Sequence, residues 1–150
     1  MAKKTLAYQL FRVGKLPRTV RTAIEPERIR ILEEGIRVII TCRNFRNSTQ
    51  FFSWKKRSFS GAIAVTSERL VAYAFSQRIL NLPFRHLCFR KMEAGKKENN
   101  CFYIRINAAH INEKMSGILE YCFITPDAGN LDNVITNVFN FPPRSPLPER

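Results

Sequence analysis

Residues 43–57, here called the basic segment, contain the side chains whose types and spacing best fit binding chemistry. The candidate binding residues are cations and one tryptophan: Arg43, Arg46, Trp54, Lys55, Lys56 and Arg57. Cations attract phosphate groups and anionic lipids, at about 1 kcal/mol per charge near a membrane surface. An exposed tryptophan favours the interface between water and lipid. The basic segment therefore predicts docking on an anionic membrane surface or on an acidic protein.

The same residue types have two other interpretations. Phe51, Phe52 and Trp54 could stack on the bases of single-stranded nucleic acid, where each contact is worth about 1–3 kcal/mol. Alternatively, the aromatic side chains belong to the core and the neighbouring charges are only solvated. The sequence leaves these interpretations open, so nucleic acid stays a second candidate partner.

The charge of the chain is large and unevenly distributed. The formal net charge is +13. Residues 35–60 contain six Lys or Arg and no Asp or Glu, whereas residues 99–150 contain four basic and five acidic residues. Such a field favours anionic partners and carries no information about the fold.

The sequence favours a non-enzymatic function without a metal or a cofactor. Its two histidines are isolated: His86 lies in an apolar stretch and His110 lies near a turn. Both are typical of structural histidines. No Ser/His/Asp arrangement, phosphate-binding loop or pair of carboxylates stands out.

The spacing of the cysteines indicates whether the protein occupies a reducing or an oxidising compartment. They lie in separate apolar stretches, without metal-ligand spacing: Cys42, Cys88, Cys101 and Cys122. We expect reduced, buried thiols, with one disulfide pair as the less favoured alternative. No apolar run approaches the roughly 18 residues of a membrane-spanning helix. The expectation is a cytoplasmic protein whose membrane association, if any, is peripheral.

Composition divides the chain into three parts. Residues 1–29 are a basic lead-in with six Lys or Arg before the first acidic residue, Glu25. We interpret this lead-in as loosely ordered, with an organelle-targeting peptide or an amphipathic surface helix as alternatives. Residues 30–140 are the predicted folded domain. Residues 141–150 contain four prolines and are predicted to be a mobile tail.

The spacing of apolar residues changes from helical to β at Gly35. Residues 25–35 are predicted to be a short helix that ends at this glycine. Six or seven antiparallel strands follow, beginning with residues 36–46. Residues 47–58 are predicted to be a loop. In VTSERLVAY, residues 65–73, two strands meet at a short polar turn.

A C-terminal helix is predicted to begin near Pro126, with Thr125 suited to cap it. Its apolar residues are spaced to form one face: Leu131, Val134, Ile135, Val138 and Phe139. Strands this short and numerous pack as a barrel or a sandwich, and the helix can close the open mouth of a barrel. The predicted fold class is therefore mainly β with helices.

This order of elements, together with the strand, polar turn and strand of VTSERLVAY, resembles the pleckstrin-homology-like (PH-like) superfamily. The nearest resemblance is to bacterial PH-type and GRAM-type domains, and it covers about residues 30–140. It implies a bent antiparallel barrel of about seven strands, capped by the C-terminal helix. The chain departs from the resemblance at residues 17–34, which a minimal PH barrel does not require.

The resemblance also implies a place for the site. In lipid-binding members, basic residues beside the loop between the first two strands hold phosphorylated head groups, and the basic segment matches that position. Many PH-like domains bind no lipid, so the fold alone does not decide the function. A self-associating scaffold is a further alternative, since an exposed sheet edge can pair with a second copy or capture a peptide.

Overall fold

The computed structural model describes Thr5 and residues 14–140, the last two of these by their backbone alone. The helices are α1 (Arg18–Ile24), α2 (Leu87–Lys91) and α3 (Ala128–Asn140), with single 3-10 turns at Glu25–Glu27 and Ala108–His110. The strands are β1 (Ile29–Arg46), β2 (Phe51–Thr66), β3 (Arg69–Ala74), β4 (Gln77–Pro83), β5 (Glu93–Lys97), β6 (Cys101–Asn107) and β7 (Ser116–Ile124). The prediction of a mainly β chain with about seven strands and a C-terminal helix is confirmed.

The strands form one antiparallel sheet in the order β4-β3-β2-β1-β7-β6-β5. Strands β4 and β5 are its two edges, and within the described residues neither pairs with a further strand. The predicted closure into a barrel is therefore not confirmed. The turn between β2 and β3 falls at Ser67 and Glu68, as the sequence predicts.

Helix α3 lies on the face of the sheet that carries the main core. Leu131 and Ile135 are buried, and Val134 and Val138 pack against the same cluster. This confirms the predicted apolar face, except at Phe139, whose side chain lies outside the described residues. The main core draws buried side chains from β1–β4, β6, β7, α2 and α3.

The predicted cap residue, Thr125, lies three residues before Ala128, where this helix begins. The hydroxyl of buried Thr125 accepts a hydrogen bond from the backbone N–H of Asp127 at 3.1 Å and donates to Glu33 Oε1 at 2.6 Å. The donor and the acceptor of the hydroxyl are both used, so it is accommodated in the core without an unpaired polar group.

The lead-in covers part of the opposite face of the sheet. Leu16 and Ile24 are buried in a second cluster with side chains of β2 and β3, and Val20 packs against it. The prediction of a helix over residues 25–35 is wrong, because β1 begins at Ile29. Leu32 packs in the second cluster whereas Ile31 packs against the main core. Both faces of this strand are covered, so its apolar residues do not alternate and imitate helical spacing.

The VTSER turn is attached to the lead-in. The hydroxyl of Thr66 accepts hydrogen bonds from the backbone N–H groups of Glu68 and Arg69, each at 3.0 Å, and donates to Glu27 Oε1 at 2.9 Å. Arg69 Nη2 lies 3.1 Å from Glu27 Oε2. The residues that carry the family resemblance therefore have a structural role in holding this turn.

Two cysteines differ from expectation. Cys101 of β6 and Cys122 of β7 are joined by a disulfide, with their Cα atoms 5.8 Å apart. The expectation of reduced thiols is wrong for this pair. The register of β6 and β7 places Cys101 opposite Ile124 and Cys122 opposite Tyr103, so the two cysteines are diagonal neighbours on one face of the sheet. Cys42 and Cys88 are free thiols.

Two parts of the sequence analysis stay predictions. Residues 141–150, the predicted tail, lie outside the described residues, as do residues 1–4 and 6–13 of the lead-in. Within the part of the chain that the structure describes, no helix is long and apolar enough to cross a membrane.

Candidate functional site

The basic segment lies on the hairpin of β1 and β2. The hairpin turns through residues 47–50, where Asn47 Oδ1 accepts hydrogen bonds from the backbone N–H groups of Thr49 at 2.9 Å and Gln50 at 2.7 Å. Such an Asx turn fixes a tight reversal. The predicted loop over residues 47–58 is therefore wrong for most of its length, because β2 begins at Phe51. The basic triplet sits on a strand.

Strand geometry distributes the triplet over both faces of the sheet, because successive side chains point to opposite sides. Lys55 and Arg57 lie on the inner face, opposite Cys42 and Ile40 of β1 in the register. Lys56 lies on the outer face. The structure thus keeps the three cations on one hairpin without directing them at a single point.

The inner face of the hairpin has a shallow groove of about 190 Å³. Its lining combines an apolar floor with polar and cationic walls: Ile40, Cys42, Gln50, Phe52, Lys55, Arg57 and Phe59. Lys55 Nζ lies 4.2 Å from the ring centroid of Phe52, and Arg57 Cζ lies 5.4 Å from that of Phe59. Both distances allow cation–π attraction. The groove therefore offers apolar and cationic surface side by side.

The thiol of Cys42 lines this groove, beside the charges of Lys55 and Arg57. Burial raises the pKa of its thiol, and the opposing effect of Lys55 and Arg57 does not cancel that rise. The thiol therefore stays protonated and weakly nucleophilic at neutral pH. We assign it no chemical step.

The outer face of the hairpin presents Trp54, which is 59% exposed, directly opposite Arg43 of β1. Arg43 Nη2 lies 4.0 Å from Glu120 Oε1 of β7. Arg105 of β6 binds the same carboxylate more closely, with Nε at 3.0 Å and Nη2 at 2.8 Å from Oε2. The charge of Arg43 is thus partly neutralised by the Glu120 carboxylate.

Glu120 is held in its charged form. Burial raises the pKa of its carboxyl, but the hydrogen bond from Arg105 and the charges of Lys97, Arg105 and Arg43 together outweigh burial, and the pKa lies below its usual value of 4.5. Sequence reasoning did not identify Glu120 as a neighbour of the basic segment. The pairing of β1 with β7 brings the two together across a long stretch of chain.

The end of the hairpin carries a second exposed aromatic residue. Phe51 is 54% exposed, beside the turn, and Arg46 Cζ lies 5.1 Å from its ring centroid. By contrast, Phe45 is buried and stacks on half-buried Phe52 at 6.3 Å. The aromatic residues of the basic segment therefore divide into a stacked pair, Phe45 and Phe52, and an exposed pair, Phe51 and Trp54.

Neither histidine lines the groove of this hairpin. His86 caps α2, where its Nδ1 accepts a hydrogen bond from the backbone N–H of Cys88 at 2.9 Å. His110 lies in the second 3-10 turn. Among the described residues, no group of three His, Cys, Asp or Glu side chains is placed to hold a metal ion.

Comparisons of the chain with protein-family models, with curated proteins and with solved structures give no match. The function is therefore argued from the geometry of the hairpin.

Proposed function

We propose that this protein is a non-enzymatic interaction module of the PH-like type, which docks on an anionic membrane surface through the basic segment. The observation that carries the proposal is the exposure of Phe51 and Trp54 within a cationic hairpin. The transfer of a large apolar side chain from water to a less polar medium lowers the free energy. Cations around them supply attraction to anionic head groups.

The exposed aromatic pair has no folding role that accounts for its size. Within the described residues, neither side chain belongs to the two hydrophobic clusters. Tryptophan is amphipathic and is enriched at the level of lipid head groups. Phenylalanine is apolar and can enter the boundary between head groups and acyl chains. These two positions are therefore the proposed insertion points.

The cations of the hairpin are mostly available for an external anion. Arg46, Lys55, Lys56 and Arg57 form no ion pair among the described residues, whereas Arg43 shares Glu120 with Arg105. At about 1 kcal/mol for each cation near an anionic membrane, the four together supply about 4 kcal/mol, which corresponds to a dissociation constant of about 1 mM. That affinity is typical of a reversible peripheral association.

A bent, barrel-like curvature of the sheet is part of this proposal. Two features support it: the main core draws on strands from both ends of the sheet, and β1 has a register shift at Gly35, whose φ is 70°. Such bulges bend strands and increase their twist. Helix α3 would then close the mouth of the barrel, and the protein would act at the cytoplasmic face of a membrane.

Vesicle flotation tests the proposal. The intact protein is expected to float with vesicles of phosphatidylserine and phosphatidylcholine at low salt and to stay unbound with phosphatidylcholine alone. Replacing Lys55, Lys56 and Arg57 by Glu should abolish flotation. The matched control replaces exposed cations elsewhere by Glu: Arg78, Arg85 and Lys91.

Equal flotation of the two triple variants would mean that net charge, and not the hairpin, attracts the protein, and the proposal would fail. It would also fail if the intact protein did not float. In that case, titration with fluorescent oligonucleotides and sedimentation of the protein alone test the nucleic-acid and scaffold alternatives directly.

A further inference from the structure

Within the described residues, strand β2 is paired along only part of one of its two edges. Its partner β3 ends at Ala74, and the chain turns away at Phe75, whose φ is 55°. Strand β3 therefore pairs with residues 61–65 of β2, and residues 51–59 pair with β1 alone within the described part of the chain. An edge of this length spans about 30 Å at 3.3 Å per residue.

The direction of the main-chain groups along this edge follows from one hydrogen bond. The backbone N–H of Phe75 donates to the carbonyl of Ser60 at 2.8 Å, so Ser60 directs its main-chain groups away from β1. These groups alternate in direction along a strand, and the register of β1 with β2 has no shift between residues 51 and 60. Ser58, Lys56 and Trp54 therefore present their N–H and C=O groups to the open edge.

We propose that an acidic peptide in extended conformation adds to this edge as a further antiparallel or parallel strand, in line with β3. Main-chain hydrogen bonds would provide affinity, and side chains on the two faces would provide selectivity. The inference does not depend on membrane docking, since it rests on main-chain groups and not on the exposed aromatic pair.

The positive charges beside the open edge of β2 favour an acidic peptide as the strand that pairs with it. Lys55 and Arg57 flank the edge on the inner face and Lys56 flanks it on the outer face. Residues 35–60 contain no acidic residue. A cross-strand partner with glutamate at these three positions forms opposite-charge pairs on both faces, whereas a second copy of β2 places cations against cations. The edge therefore favours an acidic peptide over self-pairing.

Apolar contacts border the cationic part. Phe59 meets Phe75 edge to face, with ring centroids 5.3 Å apart, at the point where β3 ends. Phe52 contributes to the inner groove near the turn. The expected ligand is accordingly a run of three acidic residues with β-branched residues on either side.

A labelled peptide of about nine residues, with three central glutamates between valines and threonines, is the probe for fluorescence anisotropy. The peptide control keeps the glutamates and replaces two flanking valines by proline, which prevents continuous strand pairing. The protein variants are Ser58→Pro, which removes one outward N–H, and Ser58→Ala, which keeps it. Both variants lose the hydrogen bond from Arg37 Nε to the Ser58 hydroxyl, at 2.9 Å.

The intact protein and Ser58→Ala should bind the probe with affinities within about twofold of each other, and Ser58→Pro should bind about tenfold more weakly. The proline-containing peptide should bind the intact protein about tenfold more weakly as well. Ser58→Pro should still float with anionic vesicles, so that failure of the peptide inference and failure of membrane docking are distinguishable.

Equal binding of the two peptides would show simple charge attraction and would overturn the inference, whether or not Ser58→Pro folds. It would also be overturned if the protein sedimented as a dimer that Ser58→Pro converts to a monomer, because the edge would then be occupied by a second copy.

Discussion

Strand β2 contains two regions that obey different physical rules. Residues 61–65 pair with β1 on one side and β3 on the other, and every side chain in them is buried. Among the described residues, 51–59 pair with β1 only, and all of their side chains are exposed or half-buried. Packing dictates the first region, which is made of small and branched apolar residues. It does not dictate the second, so the aromatic and basic side chains there point to a role outside the fold.

The first prediction tests this contrast where the effect is largest. Ile63 is completely buried in the main core. Replacing it by alanine should lower the free energy of unfolding by about 2–5 kcal/mol, because the removed atoms leave a cavity. Urea denaturation followed by circular dichroism measures the change. A loss below about 1 kcal/mol would mean that this region is loosely packed.

A smaller loss is expected at the turn that ends the buried region. Thr66→Val keeps the shape of the side chain but leaves the N–H groups of Glu68 and Arg69 and the Glu27 carboxylate without their shared hydroxyl. The free energy of unfolding should fall by about 1–3 kcal/mol. The same urea titration applies. Thr49→Val, at an exposed turn position, is the matched control and should change stability little.

On the outer face, the contribution of Glu120 to stability should depend on pH. The pKa of Glu120 is lowered in the folded state, so the carboxylate stabilises the protein above its usual pKa of 4.5, and this stabilisation is lost as the pH falls through the folded-state value. Glu120→Gln should therefore be less stable than the intact protein at neutral pH, by about 1 kcal/mol. The difference should shrink in acid. A difference independent of pH would exclude the charge as its cause.

The smallest effect on stability is expected at the exposed aromatic residues. Trp54→Ala should change the free energy of unfolding by less than about 0.5 kcal/mol, since the side chain is mostly in water. The same variant should weaken flotation with anionic vesicles. If Trp54→Ala destabilised the protein as much as Ile63→Ala, the two regions of β2 would not differ in the way described.

Sequence reasoning predicted the architecture best where local patterns and tertiary packing agree. The apolar spacing of Leu131 and Ile135 predicted the face of α3, and the polar break at Ser67 and Glu68 predicted a hairpin. It failed at Ile29–Leu32, because a strand buried on both faces lacks alternation. It failed again at residues 51–58, because an exposed edge strand shows no burial pattern that distinguishes it from a loop.

For the candidate site, the sequence identified the residues but not their arrangement. The six residues all lie on one hairpin, yet their division between two faces depends on a register that only the pairing of β1 with β2 fixes. The approach of Glu120 to Arg43 depends in turn on the pairing of β1 with β7. Neither the register of β1 with β2 nor the pairing of β1 with β7 leaves a local signal in the sequence.

The chain contains a single tryptophan, and it lies on the hairpin, so its fluorescence reports on the proposed contact directly. Addition of phosphatidylserine-containing vesicles should shift the emission of Trp54 to shorter wavelength and reduce quenching by acrylamide, with no change for phosphatidylcholine vesicles. Vesicles that bind the protein while leaving the emission and quenching of Trp54 unchanged would contradict docking through this hairpin.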